Sequence, residues 1–425
     1  MNIFDQLLAD NQIPKFVRVR HEMDHSHIDD IEGAVAQAMR REGTLDRIKP
    51  GDSVCITAGS RDVANIARII RAICDQVKSV GAHPFIIPAM GSHAGAKAEG
   101  QRGIIEGYGV TEEAMGAPIR ASMDTEVIAH SKSGLEIHLD KFANAADFLI
   151  PVGRIKAHTD FRGEVESGIC KMLVIGMGKQ HGAYQCHKLG FKSMAANVKE
   201  FAGAIIEKKP NMFAIGLIEN AYHQTCRIEA IPAGRILEEE PPLLEYAKSR
   251  MAKVPFDQAD ILFVDETGKD ISGAGMDPNV TGRSPVLGIS RPFFQRIAVF
   301  DLTDKSHGNF GGLGSADVTT KRLYRKIDFE QTYPNGITAA EPLAVRLPAV
   351  MPSDRTAMQF ALRTATDCDW EKGPRIVWLK NTLSLSEFYI SEALIPDAEA
   401  LDNVTIVSEP MEVIFDEEGN VKELR

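Results

Sequence analysis

Short apolar runs alternate along most of the chain with longer stretches in which apolar positions recur every three or four residues. Runs of the first kind read as buried strands and those of the second as amphipathic helices; their alternation predicts a parallel sheet with helices on its faces. "SVCITAG" (53–59) is such a strand, and "SRDVANIARIIRAICDQVKSVG" (60–81) sets Val63, Ile66, Ile69, Ile70 and Ile73 on one helical face. The pattern predicts a helix that begins where that strand ends. Further strands are predicted at 85–88, 148–152 and 212–220. In open parallel sheets ligands bind beyond the carboxyl ends of the strands. Arg61, His93 and His158 follow the first three strand ends, so neighbouring strands would aim all three at one crevice.

The acidic, proline-bearing stretch Glu238–Pro242 and the helix after it read as a crossover, with a domain boundary near Val254. Beyond it "ILFVDE", "RIAVFDL", "RIVWLKNT" and "VTIVSEP" are strand candidates. A closing hairpin turns at Glu418-Gly419-Asn420, open to packing back on the first domain. The predicted fold class is therefore α/β with two domains and the active site in the cleft between them. Residues 1–254 would form a catalytic domain with an open, mostly parallel sheet covered by helices on both faces, and 255–425 a smaller α/β domain.

Composition narrows the partners. A chain of 425 residues exceeds one ordinary core. A net charge of −11 disfavours nucleic acid or an anionic membrane, which would select clustered Lys and Arg. The start, "MNIFDQLLADNQIPKF", resembles neither an export leader nor a membrane span. Six cysteines with no C-x-x-C pair suggest no disulfide framework or cysteine-built metal site. The expectation is a cytoplasmic protein acting on a small molecule, with neither a nucleic-acid nor a membrane partner.

Candidate chemistry gathers in "GRIKAHTDFRGEVESGICKMLVIGMGKQHGAYQCHKLG" (153–190), which holds His158, Lys171, His181 and His187 on a glycine-broken backbone. Imidazole serves as a base near neutral pH and is a common metal ligand, so the cluster suggests proton transfer, metal binding or both. No H-E-x-x-H pair supports a hydrolytic zinc site, and no loop has the P-loop spacing. The loop "GNFGGLG" reads as tight turns. "ISGAGMDPNVTGR" reads either as turns or, through Asp277, Asn279 and Arg283, as a binding loop. His21, His25 and His27 read as exposed.

Five elements in order, Ser60-Arg61 after a strand, "GSH" at 91–93, "AH" at 157–158, "SGICK" at 167–171, and His187 sixteen positions after Lys171, resemble the nickel-dependent lactate racemase family. The resemblance spans the N-terminal two-thirds of the chain. It implies a nickel-pincer nucleotide, the nickel complex of a pyridinium-3,5-bisthiocarboxylic acid mononucleotide, received from cofactor-synthesis proteins that bind transiently. Lys171 would hold its thioacyl group, with Ser60, Ser167 and Gly168 around it, and His187 would bind nickel. His93 and His158 would be the acid/base pair and Arg61 the carboxylate anchor, with Lys269 the nearest candidate for the family's substrate lysine. No role transfers to His181.

That inventory suits inversion at carbon 2 of a 2-hydroxy acid. A carboxylate stabilises a neighbouring carbanion poorly, so removing a hydride while a histidine takes the hydroxyl proton is the easier path, and its return to the other face inverts the centre. The chain departs from the family at "TAGSRDV" and in a longer stretch between His158 and Lys171 that carries Arg162, Glu164 and Glu166. These differences suggest a substrate larger or more polar than lactate, a sugar acid or hydroxy diacid, meeting Arg162, Lys269 or Arg283. The rival readings are a non-catalytic nickel or nucleotide carrier, for which a paired acid and base serve no purpose, and a nicotinamide-dependent hydroxy-acid dehydrogenase, whose G-x-G-x-x-G turn is missing from "CITAGSRDVAN".

Overall fold

A computed structural model describes residues 3–60, 63–284, 291–339 and 341–425. It divides into two compact units, Asp24–Met251 and a second formed by Met1–Met23 with Ala252–Arg425.

In the first unit, strand Ser53–Ala58 lies parallel to and between His83–Pro88 and Phe148–Ile150. Each is nearly free of polar side chains, as strands covered on both faces must be. The single strand expected over 148–152 is in fact two. Pro151 has no N–H to give a ladder, and the chain passes there from Phe148–Ile150 to Val152–Arg154, which pairs in parallel with Phe213–Glu219. Strand Thr225–Pro232 closes the edge antiparallel. Thr57 Oγ1 accepts from the Val152 N–H at 2.8 Å and stitches the two halves together. Separate apolar clusters cover the faces, one around Phe85, Phe161, Leu173 and Phe201, the other around Ile70, Ile73, Ile86 and Phe213.

The helix expected from Ser60 begins at Ile66 instead and runs to Ser79. Its apolar face is the predicted one, with Ile66, Ile69, Ile70, Ile73, Cys74 and Val77 buried. The intervening loop is held by tertiary contacts: Glu219 Oε1 accepts from the Ala64 N–H at 2.8 Å, and Asn65 Nδ2 donates to Thr225 Oγ1. The expected crossover at Glu238–Pro242 lies inside one helix, Ile236–Arg250, with Pro241 and Pro242 within it. Its apolar face, Ile236, Leu243, Leu244 and Ala247, is buried and outweighs the missing proline donors.

The second unit holds the largest sheet, of eight strands. Ala349–Met351, Val318–Thr320, Phe293–Leu302, Gln258–Thr267 and Ile376–Leu379 run parallel, followed by Glu387–Ser391, Phe16–His21 and Val404–Ile406 in antiparallel pairing. Residues 1–23 therefore join 252–425 rather than the unit expected over 1–254. The cause is the alternation in "FVRVRH": Phe16, Val17 and Val19 are buried while Arg18 and Arg20 face outward, so the strand needs an apolar partner sheet. The terminal hairpin, Val413–Phe415 with Val421–Leu424, also stays in this unit, its apolar side chains set against the cluster of Phe263, Met358 and Trp378. Gly419 turns it at φ +82°, a conformation that suits glycine. Among the described residues no helix is long and apolar enough to cross a membrane.

Candidate functional site

The carboxyl ends of the parallel strands in the Asp24–Met251 unit carry most of the residues singled out by sequence. After Ser53–Ala58 comes Ser60; after His83–Pro88 comes His93. These two meet, with Ser60 Oγ 2.5 Å from His93 Nδ1. Tyr108 Oη donates to the Ser60 carbonyl, and buried Gln101 donates to the carbonyls of Gly91 and His93, so both turns are anchored from below. Arg61 lies outside the described residues.

His158 sits in a loop closed by paired backbone bonds between Lys156 and Ser167. Its ring stacks on buried Phe161 at 4.2 Å between centroids. Its backbone N–H donates to Glu166 at 2.7 Å, and its Nδ1 accepts from the Asp160 N–H at 3.0 Å. Glu166 is fully buried and pairs with Lys248 at 3.0 Å. Burial pushes the His158 imidazole well below its usual range, and positive charge at Lys171 pushes it further. The ring is thus neutral at neutral pH.

Lys171 ends the short helical turn Ile169–Lys171, which continues as the π-helix Met172–Gly176. Its Nζ lies 2.5 Å from His158 Nε2. The turn enters through Gly168, where a Cβ would stand 2.0 Å from Glu240 Oε1; Glu240 is buried and accepts from the Cys170 N–H. Gly153 faces the Gly168 carbonyl so closely that its own Cβ would come within 3.0 Å. This backbone contact seats the Lys171 turn against the strand leading to His158.

His187 ends the helix Lys179–His187. Its Nδ1 lies 2.6 Å from the Ala183 carbonyl, which can only accept, so Nδ1 carries the proton and Nε2 the lone pair. Burial lowers its pKa, and Lys171 and Asp160 are close enough to act on it electrostatically. A neutral imidazole with one nitrogen committed to a carbonyl is the state in which histidine binds metal. Cys186 beside it is buried, its thiol pushed up to about 12, and is no thiolate ligand. Among the described residues no group of three His, Cys, Asp or Glu is placed to hold a metal by itself.

Other expected residues are placed differently. Arg162 donates to the carbonyls of His158 and Phe161 and faces Glu166, so its guanidinium braces the loop. Glu164 is exposed and paired with Lys199. His181 lies exposed in the helix that ends at His187, stacked on His138 at 5.6 Å. Lys269 and Arg283 belong to the other unit. Lys269 Nζ donates to the Gly273 carbonyl at 2.6 Å. Arg283 pairs with Asp317 at 2.5 Å and donates to the carbonyls of Ser315, Phe294 and Gln295, so its fork is turned into its own unit. The two glycine-rich loops of that unit pack on one another: a Cβ at Gly312, φ +103°, would fall 1.6 Å from the Ala274 carbonyl oxygen. In "ISGAGMDPNVTGR", Asp277 caps the turn Pro278–Thr281 by accepting from Asn279.

Three supports escaped sequence reasoning, Glu219, Glu240 and the buried pair of Lys179 with Asp140 at 3.2 Å, and Glu166, expected near the substrate, instead braces the His158 loop. Lys179 also donates to the Pro88 carbonyl, tying the helix that bears His187 to the strand that precedes His93. The one sequence signal for this pair is the lysine of "GMGK" (176–179), in a loop that lacks the P-loop spacing.

Residues 4–198 match the family model of the lactate racemase N-terminal domain. Among solved structures, the lactate racemase apoprotein of Thermoanaerobacterium thermosaccharolyticum shares the fold, with TM-score 0.51 and 15% identity over 86% of this chain and 93% of that one. A protein from Thermotoga maritima aligns with TM-score 0.45 and 11% identity over 83% of this chain and 87% of that one. No curated protein sequence matches the chain.

Proposed function

We propose that the protein is a racemase or C2 epimerase of a 2-hydroxy acid, carrying a nickel-pincer nucleotide on Lys171 and His187. The observation that carries this reading is the convergence of Lys171, His158 and His187, each in a defined state: an amine against an imidazole, a buried neutral base, and a metal-ready Nε2. The residues fit the group. A single histidine suits a metal whose other donors come from the bound molecule, and a lysine suits a thioacyl carbon. When bound, the nickel-pincer nucleotide would supply the hydride acceptor and donor.

The chain's own groups would move the proton. His158, neutral at neutral pH, can accept the substrate hydroxyl proton once Nδ1 carries its own, and the Asp160 carboxylate, 3.8 Å from Nδ1, is the group able to take that hydrogen bond in place of the Asp160 N–H. His93, with Ser60 on its Nδ1, would serve the opposite enantiomer through Nε2. Arg61 would hold the carboxylate by its planar fork. Arg162, Arg283 and Lys269 are committed to bonds within the protein, which moves the preference for a polar substrate onto other groups.

The setting is a cytoplasmic enzyme, net charge −11, with a small-molecule substrate and transient contact with cofactor-synthesis proteins, and no nucleic-acid or membrane partner. The test is a panel of single-enantiomer 2-hydroxy acids, lactate, hydroxy diacids and sugar acids, incubated with cofactor-loaded protein and read by chiral chromatography. Racemisation or epimerisation of at least one acid, strongly reduced in His93→Ala and His158→Ala, is expected. Turnover that survives both substitutions would remove the acid/base assignment.

A further inference from the structure

Lys171 and His187 lie eight residues on either side of Lys179, where the chain turns a corner. The π-helix that follows Lys171 ends at Gly176, and the helix that ends at His187 begins at Lys179. Glycines let backbones meet here: a Cβ on Gly176 would stand 3.0 Å from the Ala89 carbonyl oxygen, and one on Gly178 would fall 2.1 Å from that of Val174. Lys179 itself adopts φ +54°, in the left-handed region where glycine is at ease and a lysine is strained. A glycine would satisfy the backbone. The lysine is nonetheless there, wholly buried, with Nζ donating to the Pro88 carbonyl and lying 3.2 Å from Asp140 Oδ2. These partners belong to two other segments. Pro88 ends the strand that leads to His93. Asp140 ends strand Glu136–Asp140; its Oδ1 accepts from the Phe142 and Ala143 N–H groups at 2.8 and 3.1 Å, and its own N–H donates to the Met177 carbonyl at 2.8 Å, so the carboxylate is held in place.

Stability does not account for the pair. Replacing a buried ion pair by uncharged groups of like volume is often neutral or stabilising, because desolvation of two charges offsets their attraction. Burial works against both charges here, lowering the Lys179 pKa and raising that of Asp140. What the pair adds is direction, since an ammonium bonded to two fixed acceptors tolerates less displacement than an apolar contact does. We infer that Lys179 is a positioning residue: it pins the corner between the Lys171 turn and the His187 helix to the strand that leads to His93, and so sets where the His187 ring stands relative to the Lys171 side chain. A strained backbone and a buried charge persist at that corner because the surrounding segments hold them there. With the pincer on Lys171 and nickel on His187, as in the proposed function on which this role rests, a displaced helix would leave the attachment intact and weaken the hold on the metal.

The test uses protein from a host that synthesises the cofactor. The parent is compared with Lys179→Met/Asp140→Asn, which removes both charges while Asn keeps the cap on Lys141–Ala145, and with Lys179→Gly/Asp140→Asn, which also relieves the left-handed residue. Intact mass reports the organic adduct, plasma mass spectrometry reports nickel per chain during timed exposure to EDTA, and thermal melts report folding. Release is read well below each melting temperature, so that it reports the folded protein. The adduct should persist in all three proteins. Nickel should leave both variants about 10–100-fold faster than the parent, the range for removing groups that orient a metal ligand. Equal release in parent and variants overturns the proposal whatever the melts show, since a merely structural pair would lower Tm and nothing else. Loss of cooperative melting in both variants overturns it as well, by making the pair a requirement of the fold. Parent protein with neither adduct nor nickel would refute the proposed function and this role with it, a result distinct from equal release, which removes Lys179 alone.

Discussion

At the scale of single residues, the site depends on buried charges whose partners are far away in sequence. Glu166 is fully buried and accepts from the His158 N–H, so Glu166→Ala leaves that amide without its acceptor, while Lys248 keeps its second partner, Glu245. Leaving one buried donor unsatisfied costs about 1–3 kcal/mol, a loss that urea unfolding would register; no measurable change would show the contact to be idle. The His158 pKa predicts a pH effect with a definite sign. Its folded value lies below the unfolded value of 6.5, so the unfolded chain binds the proton more readily, and this group's contribution to stability is complete above pH 6.5 and declines as pH falls below it. His158→Phe should therefore flatten the loss of Tm between pH 7 and pH 5, and an unchanged slope would argue against a buried neutral ring. Asp265 has the opposite sign. Burial raises its carboxyl to about 7 even though Trp378 Nε1 donates to it. The cost of ionising it grows as pH rises from 3.8 towards 7, so Asp265→Asn should stabilise at pH 8 by on the order of 2–4 kcal/mol and change little at pH 4. Strand-end position marked His93 and His158 as candidates, and the family resemblance added the roles expected of Lys171 and His187. Neither could reveal Glu166 or the Ala183 carbonyl as a partner, because a buried group's partner is chosen by where the chain returns in space.

At the scale of elements, glycine decides how closely the Lys171 turn can approach its neighbours. Gly168→Ala would drive a Cβ to 2.0 Å from Glu240 Oε1, whereas Gly190, with φ +74°, has nothing within 4 Å of its Cβ position. The second substitution meets no clash but puts a Cβ on an extended backbone with positive φ (φ +74°, ψ 174°) that is essentially glycine's own, and should cost about 1–3 kcal/mol. The first combines a clash with displacement of a buried carboxylate and should cost about 3 kcal/mol or more. Paired thermal melts would check the order, and equal losses would mean that Glu240 moves aside easily. The strands and the buried face of Ile66–Ser79 followed from periodicity alone. The start of that helix did not, because Ala64 and Asn65 are held in a loop by Glu219 and Thr225. The strand break at Pro151 was readable from proline's missing donor, whereas the two prolines inside Ile236–Arg250 point the other way: there a buried apolar face overrides local propensity.

At the scale of the whole molecule, the division of the chain is discontinuous, and this was the least legible feature. Val17 and Val19 announce a strand, but its partners lie more than 360 residues onward, Val19 opposite Phe388 and Ile406. Deleting residues 1–23 should therefore expose amides in Glu387–Ser391 and Val404–Ile406 to hydrogen exchange while Ser53–Ala58 stays protected; loss of protection in Ser53–Ala58 instead would contradict the division. In the proposed function this chain would carry nickel through a bound pincer group at Lys171 and His187. Its most direct test is nickel content by plasma mass spectrometry on protein made in a host that synthesises the cofactor, beside Lys171→Ala and His187→Ala. Nickel approaching one per chain in the parent, lost in the His187 variant, is the expected result. Nickel-free parent protein from a host shown to load a known lactate racemase would contradict it.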